Sequence, residues 1–235
     1  MLDFSFPQTS QAVPVLLRKI EQQYKSLRYL IDSNQDFFDH EKERNEVWKC
    51  TELKKMQEAT DGEPQELVNQ KEGEIMAHYE WNDEYIFYME NNFYHSTFIL
   101  AFSYFESIVS AMCKEKSLDS YSPIQKSVEN LLNTCNKSFS EEIQPQMDYV
   151  LGNLRHIRNM LTHNYNGTSK DDQEKAAKEE SEKRIGFTKA DDSITIERSY
   201  VAHALDAEYD VLKGLFQFLN LELTVRAHAF PSPPT

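Results

Sequence analysis

The stretch MDYVLGNLRHIRNMLTHN, residues Met147–Asn164, decides the fold. Its apolar residues recur with the three- and four-residue spacing of an amphipathic α-helix: Met147, Val150, Leu151, Leu154, Ile157 and Leu161. At about 100° per residue, Arg158 projects into the middle of this apolar stripe. Because an unpaired guanidinium is costly to remove from water, Arg158 is expected to have a partner or to border a cleft.

Two further polar residues accompany Arg158 on this predicted helix. Asn159 and His163 are four residues apart, so their side chains share one face beside the stripe. Arg158 is long enough to reach that face. The three polar groups are therefore expected at the edge of an apolar seam, where a second helix or subunit would pack.

The same stretch is a basic island in an acidic protein. The chain has 39 Asp and Glu against 25 Lys and Arg, a formal charge of −14. From Tyr149 to Lys170 there is no carboxylate, whereas Arg155, His156, Arg158 and His163 all lie there. This pattern predicts an anionic ligand held at one place. The alternative is that both arginines are surface residues and His163 is a cation at the helix C-terminus.

Composition predicts one helical domain or one domain with an elaborated N-terminus. The 235 residues include only 6 Gly and 8 Pro, which favours long helices with few tight turns. The three cysteines are isolated, which predicts neither a disulfide framework nor a structural zinc site and favours a reducing compartment. The N-terminus lacks the pattern of a signal peptide. A cytoplasmic location and no membrane association are expected.

Hydrophobic spacing predicts an all-α chain. Helices are expected over residues 14–31, 124–132 and 199–223, and a second, more polar stretch over 34–58. Residues 65–116 are expected to form one very long helix or two in series. Asp61–Pro64 is a predicted turn, and residues 185–196 form a predicted β-hairpin. Ser122 and Ser140 are predicted N-caps, and Tyr165–Thr168 a helix stop. The charged run Lys170–Lys183 is interpreted as solvated, either an exposed helix or a mobile loop.

Residues 96–113 are apolar nearly all round, which is typical of a helix in the middle of a bundle or at a subunit interface. Glu106 is the only charge in this segment, and a lone carboxylate there requires a partner. Arg158 is the nearest logical candidate. The alternative is that Glu106 reaches solvent at the edge of the bundle.

Several chemistries lack their sequence signatures. The chain contains no GxxxxGK[ST], GxGxxG or GxSxG motif, so neither a nucleotide phosphate cradle nor a serine hydrolase is indicated. Glu74 and His78 are four residues apart and could bind a metal, but the paired Glu-x-x-His motifs of a di-iron bundle are missing. No metal and no other cofactor is therefore predicted.

Metal-independent cleavage of RNA fits the remaining residues. His163 would move protons, Arg158 would stabilise the charge on the pentavalent phosphorus, and Asn159 would orient the imidazole or bind a phosphate oxygen. One His serves only as base or as acid in a given step. A two-fold dimer through this helix would supply the second His, with the 96–113 helix as a further seam. Glu106, Arg155 and His156 are supporting candidates.

The segment Arg158-Asn159-Met160-Leu161-Thr162-His163 resembles the Arg-x4–6-His motif of the HEPN superfamily, in which a polar residue such as Asn159 commonly follows the Arg. The resemblance implies an up-and-down bundle of four to five core helices, a dimer with facing motifs, and metal-independent endoribonuclease activity. It divides the chain into an N-terminal helical extension (1–83), a HEPN-like bundle (84–226) and a disordered tail (227–235). The small β-hairpin precedes the last helix.

The function expected from the sequence is thus a HEPN-type endoribonuclease, with a role as a toxin or an antiviral-defence effector. Its expected partners are RNA, a second copy of the chain, and an antitoxin or regulatory protein. The acidic total charge departs from that of a strong RNA binder and favours a selective cleft, repulsion of nonspecific duplex, or an inactive relative. The first alternative is a non-catalytic HEPN-like dimer that binds nucleotide or protein. The second is a small-molecule or metal-binding bundle that depends on Glu74 and His78.

Overall fold

The structure, a computed structural model, describes residues 12–120, 124–134, 143–162, 170–190 and 193–228. Side chains are described for the same residues except 12–16, 170 and 220–228. Within these residues the chain is an all-α bundle with one small β-hairpin before the last helix, as predicted.

The first two helices form a long antiparallel hairpin. Helix α1 spans Ala12–Ala59 and helix α2 spans Gln65–Glu115, and the two pack along each other. The turn between them lies where it was predicted, with Gly62 at a φ of 83°. The predicted division into a helix over 14–31 and a separate, more polar stretch over 34–58 was wrong, because both lie in one helix. Residues 15–59 contain no Gly or Pro, and the Asn34 side chain donates to the Leu30 carbonyl within the continuous helix.

The second half of α2 is the centre of the bundle, as predicted. Phe98, Phe102, Phe105 and Val109 are fully buried there. In the described part of the chain, α2 is the one helix long and apolar enough to cross a membrane by length and composition. Half of the residues in its most apolar 18-residue window are buried inside the protein.

The helix that carries Arg158 is continuous over residues 144–162 but changes its winding. It consists of α4 (Gln144–Asp148), a π-helical segment (Tyr149–Leu154) and α5 (Arg155–Thr162). A π turn holds one residue more than an α turn, so it rotates the following residues around the axis. The buried stripe therefore ends on Ile157 and Met160, whereas Leu161 is only partly buried. Arg158 lies at the margin of the stripe and not in its middle, which corrects the prediction.

Helix α3 (Ile124–Thr134) buries its apolar face against α2, and helix α6 spans Lys170–Lys183. Residues 170–183 form a helix, one of the two predicted alternatives, but the interpretation of the run as solvated was wrong for its inner face. Gln173, Ala177 and Glu180 are buried at helical spacing, and α6 packs on α5, the π-helical segment and the hairpin. Its inner face is made of small and polar residues, which an apolar pattern does not reveal.

The β-hairpin consists of β1 (Phe187–Ala190) and β2 (Ser193–Ile196), paired in antiparallel register with Phe187 opposite Ile196. Asn91 on α2 holds it from outside, because its side chain accepts from the Ile196 amide at 3.0 Å and donates to the Ile194 carbonyl at 3.3 Å. Gly186 has a φ of 81°, and a Cβ there would collide with the Ser199 hydroxyl. Helix α7 follows over Arg198–His228 and packs on α1 and α2.

Several predictions lie outside the described residues or are untouched by them. The predicted N-caps Ser122 and Ser140 and the helix stop at 165–168 lie outside. The proposed domain boundary after residue 83 falls within α2, and the predicted tail 227–235 overlaps the last two residues of α7. The division into an extension and a bundle stays a prediction.

Candidate functional site

Arg158 and Glu106 meet at the edge of the bundle, where α5 packs on the second half of α2. The Arg158 Nη2 donates to Glu106 Oε2 at 3.0 Å, and Nη1 donates to Asn159 Oδ1 at 3.0 Å. We call Glu106, Arg158 and Asn159 the Arg158 cluster. The ion pair confirms the predicted partner of Glu106. The side chains of Arg158 and Glu106 are nevertheless 21% and 31% exposed, so the pair also borders solvent.

The Arg158 cluster keeps unused capacity to bind an anion. Burial raises the pKa of the Glu106 carboxyl, and the neighbouring Arg158 opposes this rise. A guanidinium has five N–H donors, and Arg158 directs one to Glu106 and one to Asn159. Its Nε is buried and lacks a hydrogen-bond partner within the described residues. An oxyanion that approaches from the exposed side would therefore use the remaining Nη hydrogens, which Glu106 and Asn159 hold in place, and not the buried Nε.

His163 lies outside the described residues, so its position relative to Arg158 stays a prediction. It follows directly after Thr162, the last described residue of α5. The Thr162 hydroxyl donates to the Arg158 carbonyl at 2.9 Å, within the last turn. The predicted dimer and the RNA ligand are likewise untested.

Arg155 and His156, the other supporting candidates, form a separate pair. Arg155 Nη2 lies 3.3 Å from His156 Nε2. Burial lowers the pKa of His156, Arg155 lowers it further, and Asp172 on α6 partly opposes this. Arg155 and His156 therefore contact each other, and the charge of Asp172 on α6 acts on His156. Arg158 instead contacts Glu106 on α2.

Glu208, which the sequence analysis missed, is a fully buried carboxyl on α7. Its Oε2 accepts from the Tyr24 hydroxyl at 3.2 Å, while its Oε1 has no partner within the described residues. Burial raises the pKa of Glu208 to about 8; the bond from Tyr24 lowers it and the charge of Glu106 raises it. The signal was present, because Glu208 falls in phase with Val201, Leu205 and Leu212 on the apolar face.

A second buried carboxylate, Glu180 on α6, is well supplied with donors. Asn153 Nδ2 donates to its Oε1 at 2.8 Å, the Tyr149 hydroxyl donates to its Oε2 at 3.2 Å, and Arg184 Nε lies 4.0 Å away. The Arg184 guanidinium also stacks on the Tyr149 ring. We call these four residues the Glu180 cluster. It joins α6 to the π-helical segment.

The weak metal hypothesis finds no support in the geometry. Within the described residues, no three His, Cys, Asp or Glu side chains gather where they could hold a metal ion. His78 packs instead against Trp48 and Trp81, with ring centroids 4.6 and 6.4 Å away.

Comparisons with protein-family models, with curated proteins and with solved structures give no match for this chain.

Proposed function

We propose that this protein is a metal-independent endoribonuclease of the HEPN kind, in which Arg158 and His163 act on the scissile phosphate. The observation that carries the proposal is the state of Arg158. Its guanidinium is fixed by Glu106 and Asn159 at 3.0 Å each, yet remains 21% exposed at the bundle edge with donors to spare. A fixed, partly desolvated cation is what a developing oxyanion requires.

The reaction needs one base, one acid and one cation. An imidazole removes the proton of a ribose 2′-hydroxyl, and the 2′-oxygen attacks the adjacent phosphorus. The bond from phosphorus to the 5′-oxygen then breaks, and the leaving oxygen takes up a proton from a second group. The products are a 2′,3′-cyclic phosphate and a free 5′-hydroxyl. His163 from each of two copies would supply the base and the acid, and Arg158 would bind the phosphoryl oxygens.

Glu106 has a positioning role in this proposal. Its carboxylate fixes the orientation of the guanidinium before RNA binds, which reduces the cost of ordering a long side chain during the reaction. The overall charge of −14 repels nucleic acid from most of the surface, so RNA would be admitted only at the basic segment of α5. A regulator such as an antitoxin would act by covering that segment.

The test is incubation of purified protein with RNA in excess chelator. We expect the wild type to release fragments with 2′,3′-cyclic phosphate ends and His163→Ala to release none. His40→Ala, at an exposed position on α1, is the matched control and should cleave like the wild type. Cleavage by both His163→Ala and wild type, or by neither, contradicts the proposal.

One observation favours a second candidate, a non-catalytic dimer that uses the same helix for binding. The Glu106 carboxylate already pairs with the Arg158 guanidinium at 3.0 Å, which lowers the net positive charge that the cluster offers to a phosphate. In that case wild-type protein leaves RNA intact, while Arg158→Ala still changes the sedimentation coefficient or the affinity for a nucleotide.

A further inference from the structure

The Arg155 side chain is held by an imidazole, whereas the Arg158 side chain is held by a carboxylate. Arg155 Nη2 lies 3.3 Å from His156 Nε2, and the corresponding contact of Arg158 is its ion pair with Glu106. No carboxylate among the residues that the structure describes forms an ion pair with Arg155. The positive charge of Arg155 is therefore left without a salt-bridge partner there, in a chain whose formal charge is −14.

His156 orients Arg155 without neutralising it. A guanidinium can only donate, so His156 Nε2 is the acceptor in this contact. Burial lowers the pKa of His156 from its usual 6.5, Arg155 lowers it further, and Asp172 on α6 opposes both to a smaller extent. The imidazole is therefore neutral at pH 7, and the guanidinium keeps its full charge.

Arg155 lies one helical turn before the Arg158 cluster. The two arginines are three residues apart on α5, so they lie on neighbouring turns, about 4.5 Å apart along the helix axis. Both side chains are partly exposed. Two cations this close destabilise a helix by mutual repulsion, and a ligand with several negative charges would relieve that repulsion.

The Arg155 guanidinium also retains donors for such a ligand. Its Nη2 contacts His156, its Nε is buried without a hydrogen-bond partner among the described residues, and its Nη1 makes no hydrogen bond to any of them. A phosphate at the exposed side of Arg155 would accept from the Nη groups. It would meet a full positive charge there, whereas the charge of Arg158 is offset by Glu106.

An RNA strand carries one negative charge per nucleotide, so a scissile phosphate has a further phosphate beside it. We propose that Arg155, oriented by His156, binds the phosphate next to the scissile one, so that Arg158 and Arg155 hold two successive phosphates of one strand. This inference rests on the proposed function, because that function assigns the scissile phosphate to Arg158.

The two arginines have different tasks in this arrangement. Arg158 binds the phosphate whose charge increases in the transition state, so it accelerates the reaction. Arg155 binds a phosphate whose charge does not change, so it stabilises the bound substrate and the transition state equally. Loss of an interaction of that kind raises KM and leaves kcat unchanged.

The test uses dinucleotides that carry hydrogen in place of the 2′-hydroxyl and therefore cannot be cleaved. Each is made with its internal phosphate alone, with an added 5′-phosphate or with an added 3′-phosphate, and is titrated calorimetrically into the full chain at low salt. We expect one added phosphate to lower the dissociation constant of the wild type about tenfold, but less than about twofold in Arg155→Gln. Arg18→Gln, at an exposed position of α1, is the matched control and should retain the gain.

Two isosteric variants of His156 test the charge argument separately from folding. His156→Gln keeps a neutral acceptor for Arg155 and should retain the gain from the added phosphate. His156→Glu places a carboxylate at the same position, so it should neutralise Arg155 and remove the gain. Far-UV circular dichroism should be the same for both. Equal gains in the two variants, an undiminished gain in Arg155→Gln, or no gain from either added phosphate in the wild type overturns the proposal.

Cleavage of the corresponding ribodinucleotides separates this inference from the proposed function. We expect the added phosphate to lower the KM of the wild type, and Arg155→Gln to lose that effect with kcat within about twofold of the wild type. Cleavage without a phosphate-dependent change in KM overturns this inference alone. Absence of cleavage with phosphate-dependent binding intact contradicts the nuclease function alone, and the two arginines then form a binding site for paired phosphates.

Discussion

Glu180 and Glu208 are both buried carboxyl groups of one bundle, but they differ in how many hydrogen bonds their oxygens accept. Glu180 accepts hydrogen bonds at both oxygens, from Asn153 and Tyr149. Glu208 accepts one bond, from Tyr24, and its second oxygen has no partner within the described residues. A buried carboxylate with hydrogen bonds at both oxygens stabilises the packing around it. A buried carboxyl that lacks such bonds favours its protonated form, because its charge is poorly solvated.

The surroundings of each group match this difference. The Glu180 cluster joins α6 to the π-helical segment. The buried apolar residues of α6 are only alanines, so polar contacts contribute much of its packing. For Glu208, the negative charge of Glu106 raises the pKa, and Glu106 in turn pairs with Arg158. We infer that Glu180 stabilises the fold, whereas Glu208 is coupled through Glu106 to the residues proposed to bind RNA.

The largest expected effect concerns activity. Arg158→Ala should lower the RNA cleavage rate by roughly 10²–10³, the range seen when a transition-state donor is removed, and Arg158→Lys should not restore it because the planar fork is lost. Asn153→Ala, in the Glu180 cluster, should lower stability but not the cleavage rate. Arg18→Ala, exposed on α1, is the charge control. Equal losses of cleavage rate in Arg158→Ala and Asn153→Ala would contradict the separation of a functional Arg158 cluster from a structural Glu180 cluster.

The next effect concerns stability. Glu180→Ala leaves the buried Tyr149 hydroxyl and the half-buried Asn153 amide without their acceptor, so the free energy of unfolding should fall by roughly 3 kcal/mol. Denaturant unfolding followed by circular dichroism measures it. Glu182→Ala, an exposed position of the same helix, should change stability by less than about 0.5 kcal/mol. A similar small loss in Glu180→Ala would show that α6 does not depend on this cluster.

The sequence predicted most of this architecture where large apolar residues repeat. The 96–113 core of α2, the turn near Gly62, the hairpin and α7 were predicted from spacing and turn residues. The pairing of Glu106 with Arg158 followed from the cost of a lone charge in an apolar helix. Hydrophobic spacing and turn residues are local features of the sequence, and Glu106 required one partner of opposite charge.

The features that were missed depend on information that spacing does not carry. Helix α6 packs through Ala177, Gln173 and Glu180, whose burial requires donors from other helices. The π-helical winding at Tyr149–Leu154 has no simple sequence signature, yet it rotates Arg158 to the edge of the apolar stripe. Glu208 is the exception, because its phase with Val201, Leu205 and Leu212 is enough to predict that it is buried.

A third effect is the pH dependence that Glu208 imposes. Its pKa is raised from 4.5 to about 8 in the folded chain, so between these values the folded state holds a proton that the unfolded state has released. The free energy of unfolding should therefore fall as the pH rises through this window, by up to about 1.4 kcal/mol per pH unit. Glu208→Gln should abolish this component and be more stable than the wild type at pH 9.

Asp210→Asn makes the same chemical change at an exposed position of α7 and should retain the wild-type pH dependence. Urea unfolding at a series of pH values, with each variant compared to the wild type, isolates the Glu208 component from that of the histidines. Identical profiles for Glu208→Gln and the wild type would mean that Glu208 is charged in the fold.

The smallest effect tests whether the charge of Glu106 changes the pKa of Glu208. Glu106→Gln should change the free energy of unfolding by less than about 1 kcal/mol at pH 6, because its pair with Arg158 borders solvent. Loss of its negative charge should also lower the pKa of Glu208, since that charge raises it. The upper end of the pH-dependent window should then move to lower pH in Glu106→Gln, and the shift should vanish in Glu106→Gln/Glu208→Gln. An unmoved window would separate Glu208 from the Arg158 cluster, and Glu208 would then be an isolated buried acid, with no electrical link to the residues proposed to bind RNA.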